Sequence, residues 1–161
     1  MQDTEILRGK RILVVDDERD ILELIEDILD MCVINKASSF EKAKDLLEKN
    51  SYDAAILDIM GVKGYELLEI TTKQNIPTLI LTAHALSPDN FVESINKGAH
   101  AYVPKDKISE IGIFLEDILS AKEKGIKRLG EWFARLEPYF EKEFGAYWKE
   151  KEDPDFWRKY Y

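Results

Sequence analysis

The sequence predicts an open, doubly wound α/β fold followed by a helical C-terminal segment. Strand-like apolar runs such as "ILVV", "AAIL" and "LIL" alternate with segments whose apolar residues recur every three or four positions. The runs lack polar alternation, so both faces of each strand are covered, as in a parallel sheet between helical layers. Near residue 122 the composition then shifts. The first 121 residues carry 13 basic and 23 acidic side chains, while residues 122–161 carry 10 and 9 together with most of the aromatic residues. The expected division is therefore 1–123 for the α/β domain and 124–161 for a helical, aromatic-rich extension.

In order, "RILVVD" reads as a first strand and "ERDILELIEDILDMC" as a helix with Ile21, Leu24, Ile25, Ile28 and Leu29 on one face. "VINKAS" is a shorter strand, after which Ser38 or Ser39 caps "FEKAKDLLEKN". "YDAAILDI" is a central strand and "GYELLEITTKQ" its helix. "PTLILTA" follows, opened by Pro77 where a strand tolerates proline. "SPDNFVESINKGA" has Ser87 as N-cap, Pro88 in its first turn and Gly98 at its close. "AYVPK" is the last strand and "ISEIGIFLEDILSAKEK" the last helix before the extension. Right-handed crossovers wind these five units on both faces of one sheet.

Composition narrows the function. A chain of 161 residues with 45% apolar content buries one ordinary core, and a net charge of -9 disfavours general nucleic-acid binding. One cysteine, Cys32, excludes an internal disulfide and fits a reducing, cytoplasmic compartment. No run of signal-peptide or membrane-span length is present, and no Gly-rich phosphate loop follows the first strand.

Doubly wound sheets bind ligands at the carboxyl ends of their strands. Here those ends carry Asp16 and Asp17, then Asp58, Thr82 and Lys105. Adjacent like charges repel, so the acidic pair makes sense around a cation, and oxygen-only donors suit Mg2+. A carboxylate is also a nucleophile toward phosphorus; a metal and a lysine would neutralise the transferring oxygens, and a hydroxyl would bond the product. Taken singly, each residue has a plainer role: a helix cap for Asp16 or Asp17, a loop carboxylate for Asp58, a strand former for Thr82, a solvated charge for Lys105. Their occurrence together at consecutive strand ends favours the chemical reading.

These pieces, "ILVVDDE", "YDAAILDIM", "LILTAHA" and "GAHAYVPKD", resemble the receiver domain of two-component response regulators over roughly residues 9–123. The resemblance implies a flavodoxin-like sheet of order 2-1-3-4-5 and a phosphoacceptor at Asp58, charged by a sensor histidine kinase or phosphotransfer protein. It also implies Mg2+ on Asp17 directly, on Asp16 largely through water, on Asp58 and on the backbone carbonyl of Met60. Thr82 would hold a phosphoryl oxygen, Lys105 would pair with Asp58 or its phosphoryl group, and Tyr102 would turn inward when the threonine moves. The implied result is a switched surface around the fourth helix, fifth strand and fifth helix that serves a downstream protein. The only chemistry implied is self-directed phosphoryl transfer and autodephosphorylation.

Two departures stand out. The family pattern has Lys followed by Pro with a cis bond; here Pro104 precedes Lys105 and Asp106 follows, and a cis bond there would cost about 3 kcal/mol over trans. The loop after Asp58 is also short and lacks the family's Pro, leaving Gly61 and Gly64 to absorb the tighter turn through positive φ.

In the extension, Ile126, Leu129, Phe133, Leu136 and Phe140 form a helical stripe that Pro138 should end or kink near Leu136. A second piece is expected through Phe144 to Trp148, and Asp153-Pro154 would cap a last short turn. The stripe folds back on the first domain or on a neighbouring subunit, or docks in response to Asp58; a coiled-coil homodimer stays open, and DNA or membrane binding is not expected. Two other readings remain beside the signalling one. The first is a phosphorylation-independent interaction protein acting through the tail; the second is a hydrolase using Asp58 on external phosphate esters.

Overall fold

The computed structural model describes residues 5–124 and 129–161; Ile126 of the predicted stripe lies outside them. Five parallel strands, β1 (Arg11–Val15), β2 (Val33–Ala37), β3 (Ala54–Leu57), β4 (Thr78–Thr82) and β5 (Ala101–Pro104), form one sheet of order β2-β1-β3-β4-β5. This is the predicted doubly wound arrangement. The central strands β1, β3 and β4 are buried almost throughout, as their unbroken apolar runs require.

The helices α1 (Arg19–Ile28), α2 (Phe40–Lys49), α3 (Gly64–Lys73), α4 (Pro88–Asn96) and α5 (Ile111–Glu123) link and cover the strands. Sequence-level caps operate at two of them. The Ser39 hydroxyl accepts from Lys42 N–H to start α2, and the Ser87 hydroxyl accepts from Asn90 N–H to start α4. Helix α1 stops at Ile28, short of Cys32. Val33 must pair opposite Arg11, which leaves residues 29–32 to make the turn, with Cys32 N–H bonded to the Leu29 carbonyl. Helix α5 starts later than its apolar pattern suggests, because a 3-10 turn over Lys105–Glu110 intervenes, with non-helical backbone at Lys107.

The extension continues with α6 (Gly130–Phe144), a 3-10 turn (Trp148–Lys151) and α7 (Pro154–Tyr160), which the Asp153 carboxylate caps through Asp155 N–H. Of the two outcomes expected at Pro138, an end to the helix does not occur: α6 runs through it. Its ring and Ala134, whose carbonyl it leaves without an i+4 donor, both face solvent. Trp132, Phe133, Leu136 and Phe140 are buried on either side of it and hold the helix against the domain.

The extension folds back on its own chain. Phe91 of α4, fully buried, is its hub: the rings of Trp132, Phe133, Phe140, Trp148, Phe156 and Trp157 all lie 5.4–6.3 Å from it. Arg135 adds a two-pronged ion pair to Asp117 of α5, Nε at 2.8 Å and Nη2 at 3.3 Å. Leu129 N–H bonds the Tyr160 carbonyl, tying the two ends of the extension together. No described helix is long and apolar enough to cross a membrane.

Candidate phosphoacceptor site

Strand order reverses between β1 and β3, and the register there pairs Val15 with Leu57. Asp16 and Asp58, one step further along each strand, therefore emerge side by side. Asp58 N–H bonds the Val15 carbonyl and Asp16 N–H bonds the Ala37 carbonyl, so both backbones are fixed by the sheet. Asp16 and Asp58 are buried and Asp17 is exposed, and the three offer carboxylate oxygens within 4.8 Å of one another. This is the convergence that the strand ends predict. All the donors are hard oxygens, and the site has more negative than positive charge, so it fits a divalent cation.

Lys105 is not the solvated charge that its type alone suggests. Its side chain is only 9% exposed, and its ammonium lies 2.9 Å from Asp16 Oδ2, 3.5 Å from Asp58 Oδ2 and 3.8 Å from Glu18 Oε2. Burial by itself would lower the Lys105 pKa, but the Asp16 hydrogen bond and the charges of Asp16, Asp58 and Glu18 raise it. Burial and the neighbouring Asp16 charge push Asp58 up to about 6, against the opposing pull of Lys105 and the Met60 N–H. Burial likewise raises Asp16, although the Glu18 N–H and Lys105 act to lower it. Asp16 Oδ1 also accepts the Glu18 N–H at 2.9 Å in a local turn just before α1, whose N-cap is Glu18 rather than Asp16 or Asp17.

The short loop after Asp58 is built around two glycines, in different ways. Gly61 has φ +81, and a Cβ there would stand 2.4 Å from Asp17 Oδ2. Gly64 does not adopt positive φ; Lys63 does, at φ 54, and Gly64 instead leaves room for the chain to pass the Asp58 carbonyl oxygen, 2.1 Å from where its Cβ would be. The side chain of Met60 is half exposed at the start of this turn.

Thr82 ends β4 fully buried, its hydroxyl accepting the Ala85 N–H at 3.2 Å. Tyr102, fully buried on β5, donates to the Ala85 carbonyl at 2.6 Å and accepts from Ser87 N–H at 3.2 Å. Both predicted switch residues thus grip the same loop between β4 and α4. Burial raises the Tyr102 phenol, keeping it a donor. The Tyr102 ring meets Phe91 at 5.5 Å and Phe140 of the extension at 6.2 Å. Sequence reasoning missed Glu18 as a third anion near Lys105 and Phe91 as the seat of the extension. The acid two residues beyond Asp16 signals the first; nothing in the local pattern of α4 signals the second.

Comparison with known proteins agrees with this geometry. Residues 12–112 match the family described as the response regulator receiver domain. The chain is 33% identical over 127 residues to the transcriptional regulatory protein CpxR of Klebsiella pneumoniae, covering 76% of this chain and 51% of that protein. It is 31% identical over 104 residues to the two-component response regulator ARR12 of Arabidopsis thaliana, covering 60% of this chain and 17% of that protein. The chain thus spans about half the length of the first relative and about a sixth of the second. Among solved structures, a CheY-like receiver domain protein from Methanospirillum hungatei superposes with TM-score 0.66 at 28% identity, covering 73% of this chain and 98% of that one. A Francisella response regulator receiver domain gives TM-score 0.63 at 28% identity, covering 71% and 99%. With the sheet order, the strand-end carboxylates and a family match over most of the chain in agreement, this protein belongs to the receiver-domain family of two-component response regulators.

Proposed function

We propose that Asp58 accepts a phosphoryl group from the phosphohistidine of a sensor kinase or phosphotransfer protein, and that the modified site switches a protein-interaction surface. The observation that carries this reading is the convergence of Asp16, Asp17 and Asp58 within 4.8 Å, with the Lys105 ammonium held between two of them. An Asp58 oxygen attacks phosphorus as the P–N bond breaks, and the bonding pair returns to the imidazole nitrogen of the donor. Lys105 lies close enough to Asp58 to follow the negative charge onto the phosphoryl oxygens. Asp16, Asp17, Asp58 and the Met60 carbonyl would hold Mg2+, which when bound supplies further charge neutralisation.

Thr82 ends the neighbouring strand as the partner for a phosphoryl oxygen. Turning its hydroxyl that way competes with the Ala85 N–H bond, and Tyr102 shares that loop. Hydrogen bonds to a charged group contribute about 1.5–3 kcal/mol each, so two of them approach the roughly 5 kcal/mol that a clean two-state shift needs. We read residues 1–123 as the phosphoacceptor unit and 124–161 as an extension with no catalytic output. The unit's only chemistry on this reading is its own phosphorylation and hydrolysis of the aspartyl phosphate.

The test is intact mass after incubation with Mg2+ and acetyl phosphate. A phosphate-sized gain that Asp58→Ala abolishes is expected. A protein that never gains that mass acts without phosphorylation, and turnover of a generic phosphate ester would make it a hydrolase.

A further inference from the structure

We propose that Tyr139, in the extension, is a positioning residue for Lys105: by hydrogen-bonding Asp106 it fixes the turn that aims the ammonium at Asp58. The inference rests on the phosphoacceptor reading and adds to it a part for the extension.

Apart from the ion pairs of Lys105 and a Lys107–Glu110 pair at 3.9 Å, the turn Lys105–Glu110 has few anchors of its own. None of its residues is fully buried, its one apolar side chain, Ile108, is only partly covered, and its backbone leaves helical geometry at Lys107 (φ -105, ψ 18). No proline follows Lys105 to restrict the chain. The extension supplies what is missing. The Tyr139 hydroxyl donates to Asp106 Oδ2 at 2.9 Å, on the residue next to Lys105. The Lys107 ammonium lies 5.7 Å from the centroid of the same ring, so Tyr139 reaches two successive residues of the turn, Asp106 and Lys107.

Tyr139 is itself held firmly. Phe140, next in sequence, is fully buried between Phe91 and Tyr102, with ring centroids at 5.4 and 6.2 Å. One turn earlier, Arg135 is clamped to Asp117 of α5. Helix α6 therefore cannot rotate Tyr139 away without breaking the aromatic cluster. Burial and the Asp106 charge raise the phenol to about 12, so it stays a hydrogen-bond donor at any working pH.

The experiment uses the full chain with Mg2+ and acetyl phosphate, comparing wild type with Tyr139→Phe and Asp106→Asn. Tyr139→Phe keeps the ring and removes the hydroxyl; it should label roughly three- to tenfold more slowly while melting close to wild type. Asp106→Asn retains an acceptor for the phenol and should label near the wild-type rate. In a Lys105→Met background, Tyr139→Phe should change nothing further, because its effect passes through the lysine. Labelling of Tyr139→Phe at the wild-type rate, or an equal loss in both backgrounds, overturns the proposal. If wild type itself takes no phosphoryl group, the Asp58 reading fails separately. The hold on the turn is then read from amide hydrogen exchange at residues 105–110: faster exchange in Tyr139→Phe supports it, and unchanged exchange overturns it.

Discussion

The Lys105 ammonium lies closer to Asp16 than to Asp58, 2.9 Å against 3.5 Å, so the cation leans toward the carboxylate that is not the proposed nucleophile. Asp58 is left less compensated, and its pKa of about 6 follows from burial and from the Asp16 charge beside it.

Removing that cation should expose the repulsion it covers. Lys105→Met is expected to lose about 3 kcal/mol of stability at pH 8, since two buried carboxylates lose their partner. The loss should shrink at pH 5, where the Asp58 carboxyl, pushed up to about 6, takes up its proton. Urea unfolding at the two pH values measures the difference.

The Asp58 carboxyl has its own pH signature. Its pKa rises from 3.8 to about 6 on folding, so its contribution favours the fold most below pH 4 and is lost as pH rises through 6. In EDTA, Asp58→Asn should therefore be more stable than wild type at pH 8 by about 1–2 kcal/mol, or about 3–6 °C in Tm. The gap should close toward pH 4. Thermal melts across that range provide the check, and a variant no more stable than wild type at pH 8 contradicts the burial argument.

Gly61 stands against Asp17. In Gly61→Ala the new methyl would meet Asp17 Oδ2 at 2.4 Å, at a φ of +81 that alanine resists. Displacing that carboxylate should weaken Mg2+ binding roughly tenfold in calorimetric titration, with a cost of about 1 kcal/mol to the fold.

Phe91 carries the extension. Phe91→Ala removes the ring on which six aromatic side chains of the extension converge and should cost about 3–5 kcal/mol. Limited proteolysis should then cut within residues 129–161 before the rest of the chain.

Much of the site was legible because parallel strands put their next residues at one edge. Asp16, Asp58 and Lys105 follow directly from where three apolar runs stop. Which acid lies nearest the lysine was not legible, since it depends on the path of a turn with little apolar pattern. The extension's stripe showed that Phe133, Leu136 and Phe140 seek burial, but an amphipathic face does not specify its seat. That α6 runs through Pro138 rather than ending there was not legible, because the buried aromatic residues that hold the helix on both sides of it outweigh its local penalty. Gly64 was assigned positive φ when its part is to leave space for the Asp58 carbonyl, a requirement that only the folded backbone reveals.

All three tryptophans of the chain, Trp132, Trp148 and Trp157, lie in the extension, and the first two are almost completely buried. Excitation at the red edge of protein absorbance therefore interrogates residues 129–161 without any attached dye. Steady-state emission becomes a built-in optical gauge of whether that segment stays seated when Mg2+ and a phosphodonor are added.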